Sequence, residues 1–233
     1  MEEAIKEYDE LVAKGQFQKA YDLATNTLEV HNQVEMLWRK AQVCFLFVYY
    51  VDTKPSKEVC EKYLTEGMNS AKRAVAVDKK HANSLTWYGI LLDEVSNLKG
   101  IQERMKNVGE LYVLWTKSQQ IDPNNFLTES SLGIWHFIMT EFYNSKPEFF
   151  RNTNFTGNEF SYQKALEHML KCESLAPGRS LITLEYLAKC YARLGDKDKA
   201  REVCQKVLNH PARHVEAQEA KKAADELLRQ LKR

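Results

Sequence analysis

Apolar residues recur at helical spacing along nearly the whole chain, as in Leu85, Tyr88, Gly89, Leu92 and Val95, and again in Leu111, Leu114, Trp115, Ser118 and Ile121. Side chains three or four apart share one face of a helix, so each run predicts an amphipathic helix buried along a stripe. The tight-hairpin dipeptides Asn-Gly and Asp-Gly are absent, and glycine and proline fall tens of residues apart. All-β chains are punctuated every 8–12 residues or so, which this one is not. The pattern predicts an all-α chain of about eleven helices. Stops fall at Gly15, Asp78-Lys79, Asp122-Pro123, Pro177-Gly178, Gly195 and Pro211, residue types that end a helix by a missing donor or by φ freedom.

The stops are themselves periodic. Pro177 and Pro211 lie 34 residues apart and Ala165 and Ala200 lie 35 apart, the period of the tetratricopeptide (TPR) helix–turn–helix unit. The clearest unit runs from Leu187 through Gly195-Asp196 to Lys199-Ala200, with the small Ala188, then Tyr191, then Ala200. Small residues at these positions let the partner helix approach closely. A second copy opens the chain, from Leu11 through Gly15 and Phe17 to Ala20. Asp78 and Asp122 stand 44 apart and Pro123 and Pro177 stand 54 apart, so insertions are expected near 96–105 and 143–162. The whole chain, 1–233, reads as one TPR-like antiparallel helix-pair solenoid, with an N-terminal helix pair at 1–35 and a C-terminal capping helix at 213–233.

Composition narrows the class. Hydrophobic residues make up 44% and charged residues 28% of 233, which excludes disordered, collagenous and disulfide-scaffold chains. A net charge of +1 excludes the strong basicity of a dedicated nucleic-acid binder. Cys44, Cys60, Cys172, Cys190 and Cys204 form no C-x-x-C and are expected as reduced thiols. The most apolar stretch, Ala41 to Val51, is too short for the ~20 residues of a membrane span and predicts a buried helix. The acidic start Met1-Glu2-Glu3 has no apolar leader core, so a cytoplasmic location is expected, with no membrane anchor, and the Asn154 sequon is disregarded.

No phosphate-loop, dinucleotide, serine-hydrolase or zinc-protease signature occurs. His210 and His214 stand four apart, but Pro211 separates them and no further ligand completes a metal set. Glu167-His168, and Glu141 near His136, do not face each other as acid–base pairs. No enzyme activity, metal or cofactor is expected. Trp38, Trp87, Trp115 and Trp135 fall at core positions. The second insertion carries Phe149, Phe150 and Phe155, which should tuck against the core rather than form a lid.

Charge is unevenly placed. Residues 189–233 hold 12 basic against 7 acidic side chains, whereas residues 1–35 hold 3 against 8. The basic end suits an acidic partner surface, and Lys199, Arg201, Lys206, Lys221, Lys222, Arg229 and Arg233 are the expected contacts. An ion-paired capping helix would show the same composition. The inner faces of the repeats should present Asn83, Thr86, Ile90 and Asp93, and, further on, Ser130, Ile134 and Phe137, to a peptide or lipid.

Four stretches, Thr86-Trp87-Tyr88-Gly89-Ile90, Gly100-Ile101-Gln102-Glu103-Arg104, Leu132-Gly133-Ile134-Trp135, and Phe155 through Tyr162-Gln163-Lys164-Ala165-Leu166 to Pro177, resemble the regulator of microtubule dynamics family in order and spacing. With the terminal repeat the likeness covers roughly residues 60–230. Where that family carries a tryptophan and paired arginines after the Leu132 stretch, this chain has Phe142-Tyr143-Asn144 and a lone Arg151. The resemblance implies a TPR-like domain and binding to tubulin and microtubules, with a spindle or cytoskeletal location and a part in chromosome segregation. Relatives with a membrane anchor imply an alternative, lipid binding in the helical groove at membrane contacts.

Overall fold

The computed structural model describes residues 1–30, 33–150, 155, 157 and 159–232, with only the backbone at Val30 and Phe149. Eleven α-helices account for most of them: α1 Glu2–Ala13, α2 Phe17–Val30, α3 Val34–Tyr49, α4 Lys57–Val77, α5 Ala82–Lys99, α6 Ile101–Ile121, α7 Phe126–Ser145, α8 Tyr162–Leu175, α9 Leu181–Arg193, α10 Lys197–Asn209 and α11 Val215–Leu231. A short 3-10 turn, Pro147–Phe150, follows α7, and no strand occurs among the described residues. The helices gather into two compact units, Met1–Pro123 and Asn124–Arg233.

Within each unit successive helices pack side by side, and each odd-numbered helix also touches the next odd one. In the N-terminal unit α1 meets α3 and α3 meets α5; in the C-terminal unit α7 meets α9 and α9 meets α11. Paired contacts fix the register of this stacking. In the N-terminal unit the Tyr8 hydroxyl donates to the Arg39 carbonyl at 2.6 Å, 31 residues on, and the Tyr21 hydroxyl donates to Glu66 at 2.6 Å, 45 residues on. In the C-terminal unit Ser130 meets Thr183 at 2.8 Å, 53 residues on. The spacing between matching contacts therefore varies while helix-pair stacking persists.

Local chemistry explains the stops. Gly15 and Gly195 adopt positive φ (69° and 88°), and each is followed by the same bond across the helix end, Gln16 N–H to Leu11 O and Asp196 N–H to Tyr191 O. These are matching glycine-terminated turns. Ser56, Asn125, Ser161, Ser180 and Asp196 cap helix starts with side-chain oxygens, each satisfying a donor that would otherwise be orphaned.

The extra residues near 96–105 do not loop out. Helix α5 runs to Lys99 and α6 starts at Ile101, and Gly100, at φ 102°, is the single residue between them. The insertion is absorbed as helix length, 18 and 21 residues against 12 and 14 in α1 and α2. The second insertion is irregular. Phe150 and Phe160 are buried, and their rings pack with Tyr143, with Phe155 and Trp135 alongside. The expected tucking against the core therefore holds for these aromatics. Arg151 to Asn154, Thr156, Asn158 and the Phe149 side chain lie outside the described residues.

Close approach depends on small residues. Ala20, Ala165 and Ala200 are fully buried. A methyl on Gly89 would sit 2.4 Å from the Trp115 ring nitrogen, and one on Gly133 would sit 2.6 Å from the Met169 methyl. All four tryptophans are buried. All five cysteines are free and buried, and burial pushes the Cys44 thiol up to about 12, which keeps it a neutral packing group.

Candidate functional site

In the N-terminal unit α3 and α5 share a continuous face. On α3 it carries Trp38, Phe45 and Tyr49, at helical spacing, and on α5 it carries Trp87 and Glu94. The Phe45 ring lies 4.6 Å from Tyr49 and 5.6 Å from Trp87, and the Tyr49 hydroxyl donates to the Glu94 carboxylate. Phe45, Tyr49 and Ile90 are only half-buried. This is an aromatic surface that retains access to solvent.

Beside it, Arg39 ties α1 to α3. Its guanidinium donates to both oxygens of Asp9 on α1, at 3.0 Å each, and to Glu35 at 2.6 Å, with the Trp38 ring 4.2 Å away. Glu35 also accepts from the Trp38 ring nitrogen at 2.9 Å and pairs with His81, the cap of α5, at 3.1 Å. Burial opposes ionisation of Glu35, but these donors outweigh it and hold its carboxyl below the usual range.

The four residues expected on the α5 groove face divide in two. Asn83 and Ile90 are half-buried. Thr86 is fully buried, meeting Ser118 of α6 at 2.8 Å, and its carbonyl accepts from Trp115 at 3.3 Å. Asp93 accepts two bonds from Arg104 of α6, at 2.7 and 2.6 Å. Thr86 and Asp93 thus bind α6 within the pair, while their neighbours Trp87 and Glu94 face α3. A rotation of one residue separates the two faces.

In the C-terminal unit Ser130 and Phe137 are buried. Phe137 packs between Tyr162 at 5.4 Å and Tyr186 at 5.3 Å, and Ile134 is partly buried against the core. Glu141 accepts a bidentate pair from Arg193 at 2.6 and 2.8 Å and also accepts from the Tyr162 hydroxyl. A buried carboxylate, Glu129, is held by Lys171 at 2.7 Å and His168 at 2.7 Å. The His136 ring stacks on His168 at 5.2 Å. Burial chiefly, with the nearby His168 and Lys164 charges, pushes His136 down to about 3. Among the described residues no three His, Cys, Asp or Glu side chains are grouped to hold a metal.

The basic C-terminal set is unevenly available. Lys221 donates to the carbonyls of His210 and Ala212, at 2.5 and 2.9 Å, closing the chain after α10. Arg201 pairs with Asp198 at 2.8 Å and donates to the Leu231 carbonyl at 3.0 Å, joining α10 to α11. Lys199, Lys206 and Arg229 pair with Asp196, Glu202 and Asp225 close by in sequence, and such exposed pairs hold their side chains only weakly. Lys222 is exposed with no ion-pair partner among the described residues. Arg233 lies outside them. Residues 215–233 hold five basic against four acidic side chains, whereas 189–214 hold seven against three. The positive excess belongs to α9, α10 and the following turn rather than to the last helix.

Helix pairs stacked in succession, with small residues at the contacts and glycine at the turns, define a TPR-like helical repeat protein. A thermophilic TPR protein from Thermus thermophilus matches with a TM-score of 0.64 over 97% of this chain and 98% of that one, at 14% identity. A family model described as regulator of microtubule dynamics protein 1-3 matches residues 4–232, and the chain belongs to that family. Regulator of microtubule dynamics protein 1 of Pongo abelii is 25% identical over 228 residues, 98% of this chain and 72% of its own length. Protein 2 of Mus musculus is 27% identical over 203 residues, 86% of this chain and 48% of its own. Protein 3 of Bos taurus is 26% identical over 196 residues, 83% of this chain and 41% of its own. Among the described residues no helix is long and apolar enough to cross a membrane.

Proposed function

We propose that this chain is a non-enzymatic microtubule-associated protein of the cytoplasm, acting in spindle organisation and chromosome segregation by gripping tubulin. The observation that carries the reading is the family match over residues 4–232. The side chains that suit it are the exposed cations Lys199 and Lys206 of α10, in the segment that carries the positive excess, together with the exposed Lys222 of α11. Acidic tubulin tails are their natural counterpart. Contacts between exposed charges are screened within about 8–10 Å at physiological salt, so the protein should pellet with microtubules at low ionic strength and less at higher. A triple variant, Lys199→Glu with Lys206→Glu and Lys222→Glu, should stay in the supernatant. Pelleting equal to wild type would remove this surface from the reading.

A second reading, docking of an extended peptide on the α3–α5 face, is favoured by the solvent-accessible Phe45, Tyr49 and Ile90. Phe45→Ala should abolish it and leave microtubule pelleting unchanged. Asp93→Lys and Phe137→Ala test it poorly, because those side chains hold α6 and the core. A lipid retained by the purified protein in native mass spectrometry would favour a lipid occupant instead.

A further inference from the structure

Helix α4 turns an electrically ordered face outward. Placed at 100° per residue, Glu58, Glu61, Lys62, Thr65, Asn69, Lys72 and Arg73 lie on one side of it, and all but the half-buried Thr65 are exposed. This face borders an open depression of about 640 Å³ whose floor is Lys40, Glu66 and Ser70. The floor is internally satisfied: Lys40 pairs with Glu66 at 2.9 Å, Tyr21 donates to Glu66 at 2.6 Å, and Ser70 donates to the Leu37 carbonyl at 2.8 Å. The rim is polarised along the helix. Its first turns carry Glu58 and Glu61 beside Lys62, and its last turns carry only the cations Lys72 and Arg73, with Glu58 and Arg73 about 22 Å apart along the axis.

A helix that runs from acidic to basic is complementary to itself when reversed. Turned about a two-fold axis near Thr65 and Glu66, Glu58 of one copy faces Lys72 and Arg73 of the other, Lys62 faces Asn69, and every contact occurs twice. Closed two-fold interfaces have this self-complementary form. The short side chains Thr65 and Asn69 lie near the centre, where the two helices would approach most closely. The antiparallel arrangement also opposes the helix dipoles. The Glu58 carboxyl is held below the usual range, its own backbone N–H and Ser56 being the main causes, so it stays charged in neutral solution.

We infer that the outward face of α4 is a docking surface for a second copy of this chain, forming a weak two-fold dimer held by charge. Equilibrium sedimentation of the full chain tests it. Wild type should show concentration-dependent dimer at low salt, with a dissociation constant at least about tenfold weaker at high salt. Glu58→Lys with Glu61→Lys makes the face wholly basic, and Lys72→Glu with Arg73→Glu makes it predominantly acidic. Each variant alone should be monomeric, and an equimolar mixture should recover a heterodimer. If Arg73→Glu perturbs folding, Lys72→Glu with Arg73→Gln serves as the acidic partner. Wild type that stays monomeric at its highest soluble concentration would overturn the inference. So would a dimer indifferent to either variant, or a mixture of folded variants that fails to associate.

Discussion

Replacing Gly89 by alanine perturbs the packing of α5 on α6 at a single atom. The new methyl would lie 2.4 Å from the Trp115 ring nitrogen and 2.8 Å from its Cε2, so the indole must retreat by about 1 Å to reach van der Waals contact. That ring is buried and its N–H donates to the Thr86 carbonyl at 3.3 Å. Overpacking a close-packed site costs roughly 1–3 kcal/mol, and stranding a buried N–H adds about 1–3 kcal/mol. Against this, alanine gains about 0.5–1 kcal/mol over glycine in a helix interior. The net expectation is a loss of about 3 kcal/mol, within a range of roughly 1–5 kcal/mol. Gly109 on α6 is the internal control, because nothing lies within 4 Å of its added methyl. Gly109→Ala should keep only the helix gain and stabilise by about 0.5–1 kcal/mol. Urea unfolding followed by tryptophan fluorescence reads both. A Gly89→Ala protein as stable as wild type, or more stable, would refute the close-approach argument.

Other substitutions test the remaining contacts. Arg39→Met keeps the aliphatic stem but removes the bridge from Asp9 to Glu35, and should cost about 2 kcal/mol in urea unfolding. His136 takes up its proton near 6.5 in the unfolded chain but only near about 3 in the native one. Its stabilising contribution is therefore complete above 6.5 and is lost as pH falls toward 3, at no more than about 1.4 kcal/mol per unit. His136→Gln should flatten the stability profile across that window, as urea titrations from about pH 4 to about pH 7 would read. Lys221→Glu should lower the thermal midpoint by several degrees, since it deprives two carbonyls of their donor, whereas Lys222→Glu should leave it unchanged in differential scanning calorimetry.

The helical class, the stops at Gly15 and Gly195 and the small residues at Ala20, Ala165 and Ala200 were legible in the sequence, because each rests on local chemistry. Helix-face assignment was less so. The period of 34 holds in the terminal repeat, but the register between α3 and α5 is 45, as from Tyr49 to Glu94. Contacts across the helix pairs, which a repeat period does not encode, turn Thr86 and Asp93 toward α6 and bring Trp87 and Glu94 to the shared face. The insertion near 96–105 was visible as extra length, yet nothing local distinguishes a loop from two longer helices meeting at one glycine. Charge counts located the basic end of the chain. They could not tell Lys221, which holds two carbonyls, from the exposed Lys222, because that depends on where the turn after α10 folds back.

The most direct measurement compares binding of the wild-type protein to intact microtubules and to microtubules whose acidic tubulin tails have been removed by limited proteolysis, at one low salt concentration. If Lys199, Lys206 and Lys222 grip those tails, binding falls sharply on the trimmed lattice and the triple charge-reversal variant behaves alike on both. Equal binding of wild type to trimmed and intact lattices would contradict tail recognition.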